Sequence, residues 1–434
     1  MGLKEKIARA EFAPYVYSYP PTRTYRPVTN FSLSDPVFTS RVNVYIHIPF
    51  CEQKCTFCGY LTMIARSDDV VDRYVDCIVR EIARYREILE TKEITSINFG
   101  GGTPSLLTGM QFAKIMRALI AANPALAHTA QEISIEATPE SVLSSKIAKF
   151  REYGLNRVSV GIQTFNDAEI ALAKRRNIAD ISVQTFETLR GLGIPNICCD
   201  LMYGLAGQTT ESWEESVTEL LRLTPDTVEL YSTVTIPGTP LARAIGAGML
   251  PQDRLHCYER ARGMFLEAGY VQDCHLRFVI SGRGFYRQQE NVFAGESLIG
   301  FGAGARSYAV NMHYRNTFDG MNHRQVVGNY MRKMQSGHMA VESAVMLTIE
   351  EKLRRYVIYR IEHLDKKDFE EKFGMRFEGK FYKEYCELLS LGLLKDRNNT
   401  IRLTAKGLAF RDVIAREFFS ANALSHEAAY YAPQ

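Results

Sequence analysis

Tyr45-Ile46-His47-Ile48-Pro49-Phe50-Cys51-Glu52-Gln53-Lys54-Cys55-Thr56-Phe57-Cys58 puts three cysteines into one short loop directly after an apolar, strand-forming run. The CxxxCxxC spacing offers three thiolates, soft ligands that select iron–sulfur clusters, zinc or copper(I). Structural zinc normally takes four protein ligands, whereas three thiolates on a [4Fe-4S] cluster leave one iron open to a reactive ligand. The missing fourth ligand favours a cluster that does chemistry over core cysteines or half of a zinc knuckle.

Outward from this loop, β-rich runs alternate with helical ones. Strands are expected at 42–48, 95–99, 132–136, 157–162, 196–202 and 227–232. Between them, 69–89 repeats Val71, Tyr74, Val75, Ile78, Ile82, Tyr85 and Leu89 on one helical face. Strand–helix alternation implies parallel pairing, so the fold class is α/β, a partial (β/α)6 barrel. Chemistry in such barrels sits in the loops at the C-terminal strand ends. There the chain places the cysteine loop, Gly100-Gly101-Gly102-Thr103-Pro104, Glu136, Gln163, Asp200 and the run Thr235-Ile236-Pro237-Gly238-Thr239-Pro240. The glycines let backbone approach a ligand closely. Glu136 suits an ammonium, Arg175 a carboxylate, and Asp200 a ribose hydroxyl or an ammonium.

The cysteine loop resembles that of the radical S-adenosylmethionine (SAM) superfamily, in which SAM binds the open iron and is cleaved to a 5′-deoxyadenosyl radical. Together with the glycine run, Ser159-Val160-Gly161-Ile162-Gln163-Thr164-Phe165, Asp200-Leu201-Met202-Tyr203-Gly204-Leu205 and Gly300-Phe301-Gly302-Ala303-Gly304-Ala305, it resembles the oxygen-independent coproporphyrinogen III dehydrogenase family. The resemblance implies Cys51, Cys55 and Cys58 as cluster ligands, with Tyr45 and Phe57 beside cluster and SAM. It implies Gly101, Gly102 and Thr103 at the methionine part of SAM, and Glu136, Gln163, Arg175 and Asp200 at the rest. A second SAM near the first is also implied, with Met202 a contact, as is an electron donor of flavodoxin or ferredoxin type.

Two departures shape the functional expectation. Tyr60 stands where the dehydrogenase carries a further cysteine, and Gln288-Gln289-Glu290-Asn291-Val292-Phe293 lacks the His-Asn and Tyr-Trp marker of the heme chaperone subgroup. The expectation is therefore the methyl-transferring branch. One SAM would supply the radical and the other a methyl or methylene unit to an sp2 carbon of a flat heteroaromatic, tetrapyrrole or natural-product substrate. A porphyrinogen oxidase or decarboxylase and a heme-binding chaperone are the alternatives.

Composition bounds the rest. The chain has 434 residues with 52 Lys and Arg against 49 Asp and Glu, so nothing points to a nucleic-acid partner. No apolar run approaches the roughly 20 residues that span a bilayer, and the N-terminus lacks a signal-peptide core, so a cytoplasmic protein is expected. The other six cysteines read as inert thiols.

Domain expectations are an aromatic and proline-rich strap at 1–40, the barrel and its extension at 41–310, a connector at 311–340 and a winged-helix-like cap at 341–434. The strap's aromatics either line a flat substrate or pack on the barrel, with packing favoured. His275, Arg277, Arg283, Tyr286, Arg287, Gln288 and Gln289 either bind an acidic substrate or form a solvated loop. In the C-terminal region Glu378 to Leu391 mixes Lys380 and Lys383 with acids, which favours a lid on the barrel mouth over a DNA-reading helix.

Overall fold

β-Branched and aromatic residues at every second position build six strands that pair in parallel. They are β1 (Arg41–Ile48), β2 (Glu93–Gly101), β3 (Glu132–Ala137), β4 (Arg157–Gln163), β5 (Asn196–Tyr203) and β6 (Thr227–Ser232), in that spatial order. The structure is a computed structural model describing residues 2–65, 67–143, 146–176, 179–234, 239–243, 249–318 and 322–431. Each expected strand is present, within two residues at either end.

Strand periodicity divides each strand into two faces. Val42, Val44, Ile46 and Ile48 of β1 and Ile97 and Phe99 of β2 are fully buried, and the ring of Phe99 lies 4.6 Å from that of Phe112 on the helix Gly109–Ala122. The alternate positions are mostly polar: Asn43, Tyr45 and His47 on β1, Glu132, Ser134 and Glu136 on β3, and Asp200 on β5, where the apolar Met202 shares the face. The apolar set packs on the surrounding helices, so the polar set lines the lumen.

The expected helix at 69–89 is divided by Tyr85 into Asp68–Arg84 and Arg86–Leu89; Tyr74, Val75, Ile78 and Ile82 are buried on its inner face. Burying each such side chain contributes about 1.5–3 kcal/mol.

The sheet continues past the six strands. β7 (Arg277–Val279) pairs antiparallel with β6, and β8 (Ser297–Phe301) pairs parallel with β1. From β8 the chain runs as a meander through β9 (Arg306–Tyr308), β10 (Met312–Asn316) and β11 (Val341–Met346), all antiparallel neighbours. The segment expected as a connector is thus corrected: it carries β10 and the helix His323–Gln335. Met312-His313-Tyr314-Arg315-Asn316 carries only two apolar side chains among polar ones, so the stretch itself gives a weak strand signal.

The C-terminal region is helical with a small sheet, as expected. Helix Ile349–Arg360 leads to β12 (His363–Asp365), helices Lys366–Phe373 and Phe377–Ser390, the hairpin β13 (Leu394–Arg397) and β14 (Thr400–Leu403), and further helices. Asn398 and Asn399 both take positive φ, 52° and 63°, as a two-residue hairpin turn with matching twist requires. This region clamps the strap: Asp412 accepts from Val16 N–H at 2.9 Å, Arg411 donates to Val16 O at 2.9 Å, and Arg416 donates to Pro14 O at 2.7 Å.

Candidate active site

The cysteine loop is anchored on several sides. Gly102 N–H donates to Ile48 O at 2.8 Å and Thr103 N–H to Phe50 O at 2.8 Å, tying the glycine run to the loop's base. Thr56 N–H donates to Ala173 O at 3.1 Å, and Leu241 N–H to Thr56 O at 3.1 Å. Around the sulfurs, Thr103 Oγ1 lies 3.6 Å from Cys51 Sγ and Arg175 Nη1 lies 3.5 Å from Cys55 Sγ. Burial, opposed by the Thr103 hydroxyl, pushes the Cys51 thiol up to about 12, and burial raises Cys58. Phe57 is half-buried in the same loop.

The glycines are required by close approach. A Cβ on Gly102 would stand 2.6 Å from Phe50 O and 3.0 Å from Cys51 Sγ, and one on Gly100 would stand 2.6 Å from Glu136 Oε1. Gly101 has φ +116°, and its N–H donates to Glu136 Oε2 at 2.9 Å. Tyr45 is held by His47, whose Nδ1 lies 3.1 Å from the tyrosine hydroxyl and whose Nε2 lies 3.0 Å from Leu61 O. A carbonyl can only accept, so Nε2 carries the proton and Nδ1 accepts from Tyr45.

The lumen holds an uncommon density of acids. Burial pushes Glu136 up to about 7, and burial together with Glu229 pushes Asp200 up to about 8. Ser159 donates to Asp200 Oδ1 at 3.1 Å. Arg157 lies 3.6 Å from Glu229 in a pair that is 3% and 5% exposed. β4 ends in a register shift at Gln163, whose φ of 75° aims the side chain inward, and Gln163 Oε1 is buried without a hydrogen-bond partner among the described residues. Arg175 also donates to Gly161 O. Met202 is half-buried on the lumen face of β5.

Cys51, Cys55, Cys58, Tyr45, Gly101, Gly102, Thr103, Glu136, Gln163, Arg175, Asp200 and Met202 thus converge on the loop and lumen at one barrel end. Residues 235–238 of the expected sixth strand-end run lie outside the described residues. Tyr60, singled out in the sequence only as the replacement of a cysteine, and Tyr17 of the aromatic strap stand near one another at this end. Tyr60 is 65% accessible and Tyr17 49%, yet surrounding protein raises the Tyr60 hydroxyl, with Tyr17, Glu136 and Cys58 around it. Both rings stand largely exposed beside the cysteine loop. The solvated-loop reading of 275–289 fits Arg283 and Arg287, 51% and 47% exposed, and is corrected for two others: Arg277 is 3% exposed and bonded to Asp273 and Gln289, and Gln288 donates to Val44 O at 2.8 Å. Burial of these groups follows pairing that a single stretch of sequence does not display.

The family model for the radical SAM superfamily matches residues 45–220, the span that contains the loop, the glycine run and the lumen acids. Over residues 45–220 the chain therefore matches the radical SAM superfamily. Its relatives within that superfamily include an oxygen-independent coproporphyrinogen III oxidase of Bradyrhizobium diazoefficiens, 29% identical over 81% of this chain and 80% of that protein. They also include the heme chaperone HemW of Bacillus subtilis, 28% identical over 84% of this chain and 96% of that protein. Among solved structures, the coproporphyrinogen III oxidase HemN of Escherichia coli superposes with a TM-score of 0.76 at 23% identity, covering 96% of this chain and 93% of that one.

These relatives overturn the expectation of methyl or methylene transfer. They match along most of the radical SAM chain and are oxidases and heme chaperones, so neither a C-methyltransferase or cyclopropanase nor a role in natural-product biosynthesis is supported. That expectation rested on two missing markers. Tyr60 occupies the place of one, and the other falls on the helix Arg287–Ala294, packed beneath β1. Among the described residues no helix is long and apolar enough to cross a membrane.

The cofactors of this radical SAM protein are a [4Fe-4S] cluster and SAM. The donor set fits them: three free thiols in one loop, a glycine cradle that a Cβ would fill, and an orphaned Gln163 oxygen in the lumen.

Proposed function

We propose that the protein is a radical SAM enzyme that abstracts hydrogen from a tetrapyrrole bearing carboxylate side chains, in an oxidative or decarboxylating step. What supports this reading is the gathering of Glu136, Gln163, Arg175 and Asp200 below three thiols at one barrel end, a set that a pure carrier would not need. Cys51, Cys55 and Cys58 would hold the cluster, and Gly101, Gly102 and Thr103 the methionine part of SAM. Glu136, Gln163, Arg175 and Asp200 would hold the remainder, with Tyr45 and Phe57 alongside and Met202 facing a second ligand.

When bound, the cluster and SAM would supply a carbon radical able to remove hydrogen from an unactivated carbon, given one electron from a flavodoxin- or ferredoxin-type donor, and the electron left on the substrate would pass to a one-electron acceptor of the same type in its oxidised form. The chain's residues do the rest. His47 fixes Tyr45, and the Gly101 N–H orients Glu136. The raised acids of the lumen hold protons near neutral pH, so Asp200 and Glu136 donate as well as accept hydrogen bonds. Tyr17 and Tyr60, exposed at the mouth, give a flat substrate aromatic faces.

The test is anaerobic turnover of the reconstituted full chain with SAM, reductant and a propionate-bearing porphyrinogen. Formation of 5′-deoxyadenosine that depends on the porphyrinogen, with a product lighter by CO2 or hydrogen, supports the reading. Tight heme binding with no substrate-dependent deoxyadenosine overturns it in favour of a carrier.

A further inference from the structure

Arg306 on β9 and Arg315 on β10 are direct cross-strand partners in an antiparallel pair. Directly opposed side chains share one face of the sheet, and two like charges there repel. Elsewhere in the fold, guanidinium groups held in the interior meet acids: Arg157 meets Glu229 at 3.6 Å, Arg277 meets Asp273 at 2.5 Å, and Arg411 meets Asp412 at 3.0 Å. Arg306 and Arg315 have no carboxylate within ion-pair distance among the described residues. Their contacts are aromatic and backbone, with a hydrogen bond from Arg306 to the Tyr17 hydroxyl. Arg306 Cζ stands 5.1 Å over the Tyr17 ring, Arg315 Cζ stands 3.1 Å over Phe318, and Arg315 Nε lies 3.4 Å from Gly304 O.

A second orphan lies beside them. The hydroxyl of Tyr25, a strap residue only 7% exposed, has no hydrogen-bond partner among the described residues, and both arginines act on it electrostatically. The hairpin also faces the catalytic loop: a Cβ on Gly304 would stand 2.8 Å from Leu61, next to Tyr60, and Arg306 acts on Tyr45, Tyr60 and His47. Burial, reinforced by Arg306, draws the Arg315 guanidinium down to about 9, a measure of how poorly its charge is compensated. Both guanidinium groups are half-buried, and a bidentate anion would offset the repulsion of two like charges held on one face.

We propose that Arg306 and Arg315, with the Tyr25 hydroxyl, form a carboxylate-binding site at the rim of the barrel mouth that seats a propionate of the tetrapyrrole substrate. This assignment rests on the tetrapyrrole reading above. The aromatic faces of Tyr17 and Phe318 beside the guanidinium groups suit a flat ring that carries its carboxylate on a short alkyl arm. A SAM carboxylate has the same chemistry, and the experiment separates the two sources.

The experiment uses the full-length reconstituted protein and its Arg306→Gln and Arg315→Gln variants. Binding of coproporphyrin III and of its neutral tetraamide is followed by absorbance titration, and SAM binding by equilibrium dialysis. The wild type is expected to prefer the free acid about tenfold or more, and each variant to lose most of that preference while keeping its SAM affinity. Because neither arginine has an acid to strand among the described residues, melting temperatures should hold or rise. An unchanged acid preference in both variants overturns the site. Loss of SAM affinity with the acid preference intact overturns the substrate assignment, and a large drop in melting temperature marks the guanidinium groups as structural. Wild-type protein that binds neither porphyrin form removes the tetrapyrrole reading itself, an outcome distinct from arginine-independent binding.

Discussion

Tyr45 donates its hydroxyl to Nδ1 of His47 across 3.1 Å, while the other imidazole nitrogen is occupied by Leu61 O at 3.0 Å. Both residues lie on the lumen face of β1, so one imidazole fixes a tyrosine against the glycine run. Burial pulls His47 down to about 4, so it stays neutral in the fold. The unfolded chain protonates this histidine below about pH 6.5, so its contribution to stability is present above that pH and lost as pH falls toward 4. The loss amounts to about 3 kcal/mol. His47→Leu should remove this part of the acid sensitivity, measured as urea midpoints at pH 7 and pH 5. It should also weaken SAM binding by freeing Tyr45. A variant with the wild-type pH slope would show that His47 is not held neutral.

Gly100→Ala tests the cradle. Its Cβ would stand 2.6 Å from Glu136 Oε1 and 2.8 Å from Tyr45 Cε2, displacing both. The three thiols are untouched. Iron content and the visible absorption of the cluster should therefore match wild type, while SAM affinity measured by dialysis falls about tenfold or more. Unaltered SAM affinity would remove Glu136 and Tyr45 from the ligand's surroundings.

The thiols themselves make the complementary case. Replacing Cys51, Cys55 or Cys58 by Ala deletes one of only three ligands in the loop, so each variant should reconstitute with far less iron while circular dichroism stays that of the folded protein. Full iron content in any of the three would mean that its sulfur is not a ligand.

The barrel was legible because its periodicity is local: alternating apolar and polar residues mark both the strands and the lumen face, and Glu136, Asp200 and Met202 inherit their direction from that alternation. The Asn398-Asn399 turn was legible for a similar reason, since few residue pairs accept two positive φ values. Arg306 and Arg315 were not legible. Their meaning lies in cross-strand register and in the missing acid, and neither is written in the residues adjacent to them. His275 was hidden likewise, since Glu362 and Asp412, its partners at 2.8 and 3.4 Å, come from the C-terminal region.

That histidine leads to a prediction about the clamp on the strap. Arg411, 1% exposed, reaches Asp412 at 3.0 Å, Glu362 at 3.4 Å and the backbone of Val16 and Ile358. Arg411→Met would leave two acids facing only His275, which costs about 3–5 kcal/mol when a buried pair is broken. The melting temperature should fall by several degrees, and limited proteolysis should cut the strap near Val16 before the barrel. A melting temperature equal to wild type would mean that the cluster of charges does not hold the strap.

Glu81 gives a pH dependence of opposite sign to that of His47. Its carboxylate is buried and accepts from Gly302 N–H at 2.9 Å, Tyr330 hydroxyl at 2.8 Å and Asn316 Nδ2 at 2.6 Å, fastening the turn that precedes Arg306. Burial nevertheless outweighs these donors and pushes the acid up to about 7. A carboxyl that binds its proton more tightly folded than unfolded stabilises the fold most below about pH 4.5, and that advantage declines as pH rises to about 7. Glu81→Gln carries no charge at any pH. It also keeps an acceptor for Gly302 and Tyr330, and Asn316 Oδ1, now without a partner among the described residues, is available to its amide. Relative to wild type, the variant should gain about 3 kcal/mol between pH 4.5 and pH 8, read as the change in the difference between urea midpoints. The same difference at both pH values would mean that Glu81 enters the fold already ionised, with its three donors outweighing the cost of burial.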